Sequence, residues 1–215
     1  MLADDGNIDE YEVDDFDIPK RNFLSPKCWN ITEVDLEESN PAEGAREWIQ
    51  GCKALRSIRI VHGGGMIPDD AFQPSKTHEL LSLQKSTLES LWVDNPDTYM
   101  WSDDQWMESF VDFTALNVIC ASLASLVGVD ELNVPVRKLP DVLPSSLETL
   151  CVAVDGDDSL NGAIDQLAEL AASRNFSKLA TIHLEYNQFR EPRNAMRLEW
   201  LEQRRQEASV LFFSS

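Results

Sequence analysis

In the stretch LPSSLETLCVAVDGDD, Leu143 to Asp158, the apolar positions of the central strand fall at Leu147, Leu150 and Val152. A strand with one buried face is apolar at every second residue. Here the first step is three residues and the second is two. The same pattern, apolar-x-x-apolar-x-apolar, occurs six times along the chain. The matches are Ile31, Val34, Leu36; Leu55, Ile58, Ile60; Leu88, Leu91, Val93; Leu116, Ile119, Ala121; Leu147, Leu150, Val152; and Leu179, Ile182, Leu184. Their first positions are separated by 24, 33, 28, 31 and 32 residues, which is the period of a strand plus a returning segment.

The intervening segments carry helix signals. After the first strand, Asn40 caps, Pro41 suits the first helical position, and Ala42, Ala45, Trp48, Ile49 and Cys52 share one face. SKTHELLSLQ, 75–84, predicts a short helix after a Gly-rich loop. After the third strand, Ser102 and Gln105 have capping-box spacing ahead of Trp106, Met107, Phe110 and Val111, so a helix is expected over 102–111. After the fifth, Leu160, Ala163, Ile164, Leu167, Ala168 and Ala171 form an amphipathic stripe. Residues 123–144 contain Pro140 and Pro144 and are expected to be loop with short turns.

Alternating strands and helices of one repeated type predict an α/β solenoid, with a curved parallel sheet on the concave side and helices and loops on the convex side. One unit cannot bury its apolar face alone, whereas a stack of units can. The alternative is a doubly wound α/β sheet, whose strands are apolar on both faces. Polar residues between the apolar ones (Glu33 and Asp35, Ser57 and Arg59, Ser90 beside Trp92) argue for one solvated face. The expected organisation is an acidic N-terminal tail over 1–22, a repeat domain over 23–190, and a C-terminal capping helix and tail over 191–215.

Several of these segments are similar to a known family. FTALNVICASLASLVG, LPDVLPSSLETLCV, IQGCKALRSIRIVHGG, KSTLESLWV and FSKLATIHLEY resemble the leucine-rich repeat domains of filamentous fungi, which often follow an F-box. The resemblance runs from about Trp29 to Tyr186. It implies a curved solenoid that binds a protein. It also brings in ubiquitin-ligase components as partners, should an F-box be joined to the repeats. Ahead of the repeats this chain shows an acidic segment and not the helical pattern of an F-box.

Composition narrows the partners. The 215 residues carry 38 acidic and 18 basic side chains, a formal net charge of -20. Such a body repels nucleic acid and anionic membranes and favours a basic partner. No apolar run is long enough to span a bilayer, and the first residues lack a secretory signal pattern. Four cysteines without CxxC spacing are then expected as reduced thiols in the cytoplasm or nucleus.

Strand alternation predicts which side chains face the concave side. The residues just before the third apolar position are Asp35, Arg59, Trp92, Cys120, Cys151 and His183. The column after it includes Glu37, Asp94 and Glu185. Trp and Arg are enriched at binding hot spots, so Arg59 and Trp92, helped by Asp94, are the candidate anchors for a protein or peptide. Asp35, His183 and Glu185 share that surface. The plainer alternative pairs Arg59 with Asp35 and covers Trp92 with a loop.

Cys120, Cys151 and His183 are zinc-ligand types in one column. The outer two lie about 9.6 Å apart at the backbone, twice the strand spacing. One ion would need all three to lean inward and a fourth ligand, so the expectation is no metal and no cofactor; a thiol site is the remaining alternative, a Cys120–Cys151 disulfide being conceivable by distance but opposed by a reducing compartment. Catalysis has little support. His62 precedes three glycines but lacks the Lys-Ser/Thr of a P-loop, GxSxG is absent, and VDGDD at 154–158 lacks calcium-loop spacing. His78 stands apart from any such motif. The expectation is a non-catalytic binding protein.

The termini complete the reading. Residues 1–18 hold eight acidic and no basic residues, a composition that favours disorder. Ile8, Tyr11, Val13, Phe16 and Ile18 leave open a cap on the first repeat. EPRNAMRLEWLEQRRQEA reads as a helix covering the last repeat. The apolar run Val210 to Phe213 is expected to fold back on the core or meet another chain.

Overall fold

The computed structural model describes residues 27–37, 45–61, 73–94, 106–130, 134–154, 157–186 and 211–214. The elements follow one another as β1 (Glu33–Leu36), α1 (Ala45–Gly51), β2 (Ser57–Val61), α2 (Pro74–Ser82), β3 (Ser90–Asp94), β4 (Val118–Ser122), α3 (Leu123–Val127), α4 (Leu139–Val142), β5 (Thr149–Val154), α5 (Asp157–Ala172), β6 (Thr181–Tyr186) and β7 (Leu211–Ser214). The seven strands form one sheet in sequence order, and every neighbouring pair is parallel. A doubly wound sheet reverses its strand order part-way; this one never does, so the chain is an α/β solenoid.

The uneven apolar pattern has a backbone cause. The residue after each first apolar position offers one carbonyl to two consecutive N–H groups of the next unit. Thr32 O accepts from Arg56 and Ser57 at 2.7 and 3.0 Å, and Arg56 O from Glu89 and Ser90 at 2.7 and 2.9 Å. Glu89 O accepts from Asn117 and Val118 at 2.9 and 3.1 Å, Asn117 O from Glu148 and Thr149 at 2.8 and 2.9 Å, and Glu148 O from Ala180 and Thr181 at 2.9 and 3.1 Å. In a regular strand successive N–H groups point opposite ways. Two that converge on one oxygen mark a turn of the chain, and alternation begins only after it. The first apolar residue therefore enters the core three residues ahead of the second.

That arrangement buries the repeat. Leu55, Leu88, Leu116 and Leu147 are wholly buried at the first position, Ile58, Leu91, Ile119, Leu150 and Ile182 at the second, and Ile60, Val93, Ala121, Val152 and Leu184 at the third. They join Ile49, Leu80, Leu81, Leu126, Leu139, Ile164, Leu167 and Leu170 from the helices in one core. A further buried position lies three residues before several first positions: Cys52, Phe113, Pro144 and Phe176. The edge unit is less covered, and Ile31 stays 38% exposed.

The helices partly follow the pattern. α1, α2 and α5 stand where sequence places them, and the described part of 123–144 contains only the short α3 and α4. Ser122 caps α3, its Oγ accepting the N–H of Ser125 at 3.1 Å. Trp48, assigned to the apolar face of its helix, is 59% exposed. It meets Trp29 edge to face at 5.8 Å. Gly51 permits this, since a Cβ there would lie 2.8 Å from the Trp29 ring.

The helix expected over 102–111 is corrected. Residues 106–111 are not helical. Met107 donates its N–H to Ser125 O and Phe110 donates to Val142 O, each at 2.7 Å, so both backbone groups bond across units instead of along a helix. Arg137 fastens the segment, donating to Met107 O and to Leu126 O, with its guanidinium 5.5 Å from the Trp106 ring centre. β7 adds a seventh strand within the run expected to fold back on the core or meet another chain. The helix expected over 191–208, the acidic tail, the cap at 40–44 and the Gly-rich loop lie outside the described residues.

Candidate functional site

The open face of the sheet, opposite the helices, carries the side chains that alternate with the buried ones. Strand register places Asp35, Arg59, Trp92, Cys120, Cys151 and His183 in a single row across β1 to β6, and His183 pairs in turn with Phe213. A second row runs through Ser57, Ser90, Val118, Thr149 and Thr181. The column beyond the first row is interrupted. Val61 pairs with Asp94, and Ser122 with Ala153 and then Glu185, but the β3–β4 ladder ends at Trp92 and Cys120.

Arg59 is engaged within the chain. Its Nη1 donates to both carboxylate oxygens of Asp35, at 3.0 and 3.2 Å, and to Glu37 Oε1 at 3.0 Å. Hydrogen bonds to Glu37, then to Asp35, hold the guanidinium above its ordinary pKa. All three side chains remain well exposed, so the cluster sets the position of charge and contributes little to stability. The Arg59–Asp35 pairing foreseen as the plainer alternative is present. Trp92 keeps 39% of its surface exposed. Asp94, two residues along the same strand, is also exposed.

The other end of the row is chemically different. Cys120 and Cys151 face each other in register and are each only 7% exposed. Glu185 is half-buried and contacts the Cys151 thiol, while His183 is half-buried beside it in the row. Asp35 and Glu185 stand on strands five spacings apart, about 24 Å at the usual strand separation. The six candidate residues therefore do not close one pocket. They mark two regions of a long surface, an exposed acidic and aromatic one on β1–β3 and a thiol-lined one on β4–β6. Sequence reasoning missed Glu37 as a partner of Arg59, because the contact runs diagonally between strands.

Among the described residues no cluster of three or more His, Cys, Asp or Glu side chains is placed to hold a metal. Cys120, Cys151 and His183 do share a row, but consecutive strands spread three ligands in a line and not around a centre. No described helix is long and apolar enough to cross a membrane.

A family model, that of the leucine-rich repeat domain, matches residues 7–184. The chain belongs to the leucine-rich repeat family. The match covers the six sequence repeats and agrees with the all-parallel, sequence-ordered sheet of the solenoid. Comparison with curated proteins and with solved structures finds no match in either set. Leucine-rich repeat domains generally bind protein partners, which makes this one a protein-interaction module in that general sense.

Proposed function

We propose that this leucine-rich repeat domain is a non-catalytic recognition module that takes a basic protein or peptide segment on the β1–β3 end of its open face. The observation that carries the reading is Trp92, a large aromatic side chain left exposed in mid-sheet, with Asp94 two residues along its strand and the acidic edge strand β1 two strands away. An exposed indole offers apolar area and a face that attracts cations. Asp94 supplies charge along β3, and Glu33, Asp35 and Glu37 supply it at the β1 edge beyond Arg59, which holds two of them in place. The net charge of -20 steers a basic partner toward the molecule.

The test is an array of lysine- and arginine-containing peptides, with acidic peptides as controls, read by binding to the full chain. Basic peptides are expected to bind, more weakly as salt rises. Trp92→Ala is expected to weaken that binding by roughly 30-fold, the effect of losing about 2 kcal/mol at a hot spot. Unchanged binding by a correctly folded Trp92→Ala protein sinks the reading. The recognition part of an F-box ubiquitin ligase is a second reading, supported by the similarity of IQGCKALRSIRIVHGG and LPDVLPSSLETLCV to repeats that follow F-boxes. Affinity capture that recovers cullin-ligase components supports it, and capture of a different dominant partner removes it.

A further inference from the structure

We propose that Cys120 and Cys151 form a redox-active dithiol on the open sheet face, oxidised reversibly to a disulfide by hydroperoxides. The proposal does not depend on the partner reading. The two residues are register partners on adjacent parallel strands, β4 and β5. Adjacent strands hold facing Cα atoms about 4.8 Å apart, inside the roughly 4.4–6.8 Å span that a disulfide bridges. Both side chains leave the sheet on the same side, between Trp92 and His183 in the row, and both are free thiols. The remaining cysteines, Cys28 and Cys52, lie near each other but are not register partners on neighbouring strands of the sheet. Cys28 is exposed, and the buried Cys52 gives its S–H to Trp48 O at 3.3 Å.

The pair is asymmetric. The hydrogen bond from Cys151 favours the Cys120 thiolate and pulls its pKa below the usual thiol value, against the opposing effect of burial. Cys151 is pushed up by the same hydrogen bond, then by burial, then by the negative charges of Cys120 and Glu185. Whichever sulfur ionises first attacks and the other resolves; Cys120 takes the first part in the steps that follow. Only a small oxidant reaches groups that are 7% exposed, which selects a peroxide over a bulky disulfide such as oxidised glutathione.

In the first step the Cys120 thiolate attacks one peroxide oxygen. The O–O bond breaks, and the departing hydroxide takes up the proton that Cys120 released. In the second step the Cys151 sulfur attacks the Cys120 sulfenic sulfur and the S–O bond breaks. The Cys151 proton passes to the leaving hydroxide, with the Glu185 carboxylate in contact to carry it. Two thiols and one hydrogen peroxide give one disulfide and two waters. A small-molecule thiol reverses it by exchange. Transient bonds of this type are compatible with reducing compartments.

The experiment treats the full chain with stepwise additions of hydrogen peroxide, alkylates remaining thiols under denaturing conditions, and maps peptides by mass spectrometry without reduction. The expected result is joint loss of the Cys120 and Cys151 thiols, a linked peptide containing both, and full recovery after dithiothreitol. Cys52 should stay alkylatable. In Cys151→Ser, Cys120 should stop at the sulfenic acid and be trapped by dimedone. The proposal is overturned if both thiols survive peroxide that oxidises the exposed Cys28. It is equally overturned if Cys120 proceeds to the sulfinic acid in the native chain without a linked peptide.

Discussion

Gln84 tests whether neighbouring units are joined by specific polar contacts or only by apolar burial. Its side chain is buried, at 4% exposure, just after α2. The Nε2 group donates to Ile49 O at 2.8 Å and to Cys52 O at 3.1 Å, while Oε1 accepts the N–H of Leu55 at 3.3 Å. One amide thus satisfies three backbone groups of the preceding unit. Replacing it by Met keeps the volume and removes every bond. Ile49 O would retain the N–H of Cys52, at 3.3 Å. Leu55 N–H and Cys52 C=O would have no described partner. A stranded buried polar group costs about 1–3 kcal/mol, so two cost roughly 2–6 kcal/mol, and the apolar Met side chain recovers only part of that. We expect Gln84→Met to lower the unfolding free energy by about 3 kcal/mol, a fall of roughly 6–12 °C in Tm for a chain of this size. Urea denaturation measures it through the midpoint, with the m-value unchanged. Hydrogen exchange should rise first around Cys52–Ser57, since stability in a solenoid is carried by adjacent interfaces. A loss below about 1 kcal/mol would show that water or a local shift satisfies these groups, and the argument would fail.

Two further outcomes follow from local geometry. Gly128 ends α3 with φ +67° and ψ 155°, a region open in practice to Gly alone, and a Cβ there would lie 2.5 Å from the Trp106 ring. Gly128→Ala should therefore cost at least about 1–3 kcal/mol in urea unfolding and shift tryptophan emission as Trp106 is displaced. His78 has its pKa lowered chiefly by burial, against Phe110 and Phe113 at 4.9 and 5.5 Å, although its ring donates to Ser109 O at 3.1 Å. Its contribution is fully present above the unfolded pKa of about 6.5. As pH falls through that value toward the lower folded pKa, the unfolded chain binds the proton first and stability declines. In a pH series of urea midpoints, His78→Gln should flatten that decline below pH 6.5, and an unchanged slope would remove His78 as its source.

Much of the fold was legible in the sequence because the second and third apolar positions alternate within the strand. That alternation fixes which side chains face the open side, so the row from Asp35 to His183 could be read before any coordinates. Long-range partners could not. Nothing in Gln84 or Arg137 announces that each holds a neighbouring unit, because their acceptors are backbone carbonyls far away in sequence. Residues 102–111 misled because Met107 and Phe110 have a spacing common to helices and to turns that drop side chains into a core. β7 escaped because register sets Phe212 opposite Ile182 and Ser214 opposite Leu184. The third apolar marker is therefore serine. Alternation put Glu37 on the open face, but its pairing with Arg59 runs diagonally between strands, and a column read along one register does not show a diagonal contact.

The doubly used carbonyl at each seam has a consequence for how such a molecule changes length. From β1 to β6, each described unit presents its successor with the same oxygen in the same place and greets its predecessor with the same two amides. The joints are therefore interchangeable, whatever fills the connecting segments. A whole coil could be duplicated or deleted between two such joints while the flanking coils still met correctly, and the exposed strip of recognition residues would lengthen or shorten by one strand's width. Intervals as different as 24 and 33 residues can coexist in one chain for the same reason: the joint is uniform, and the return path is free to vary.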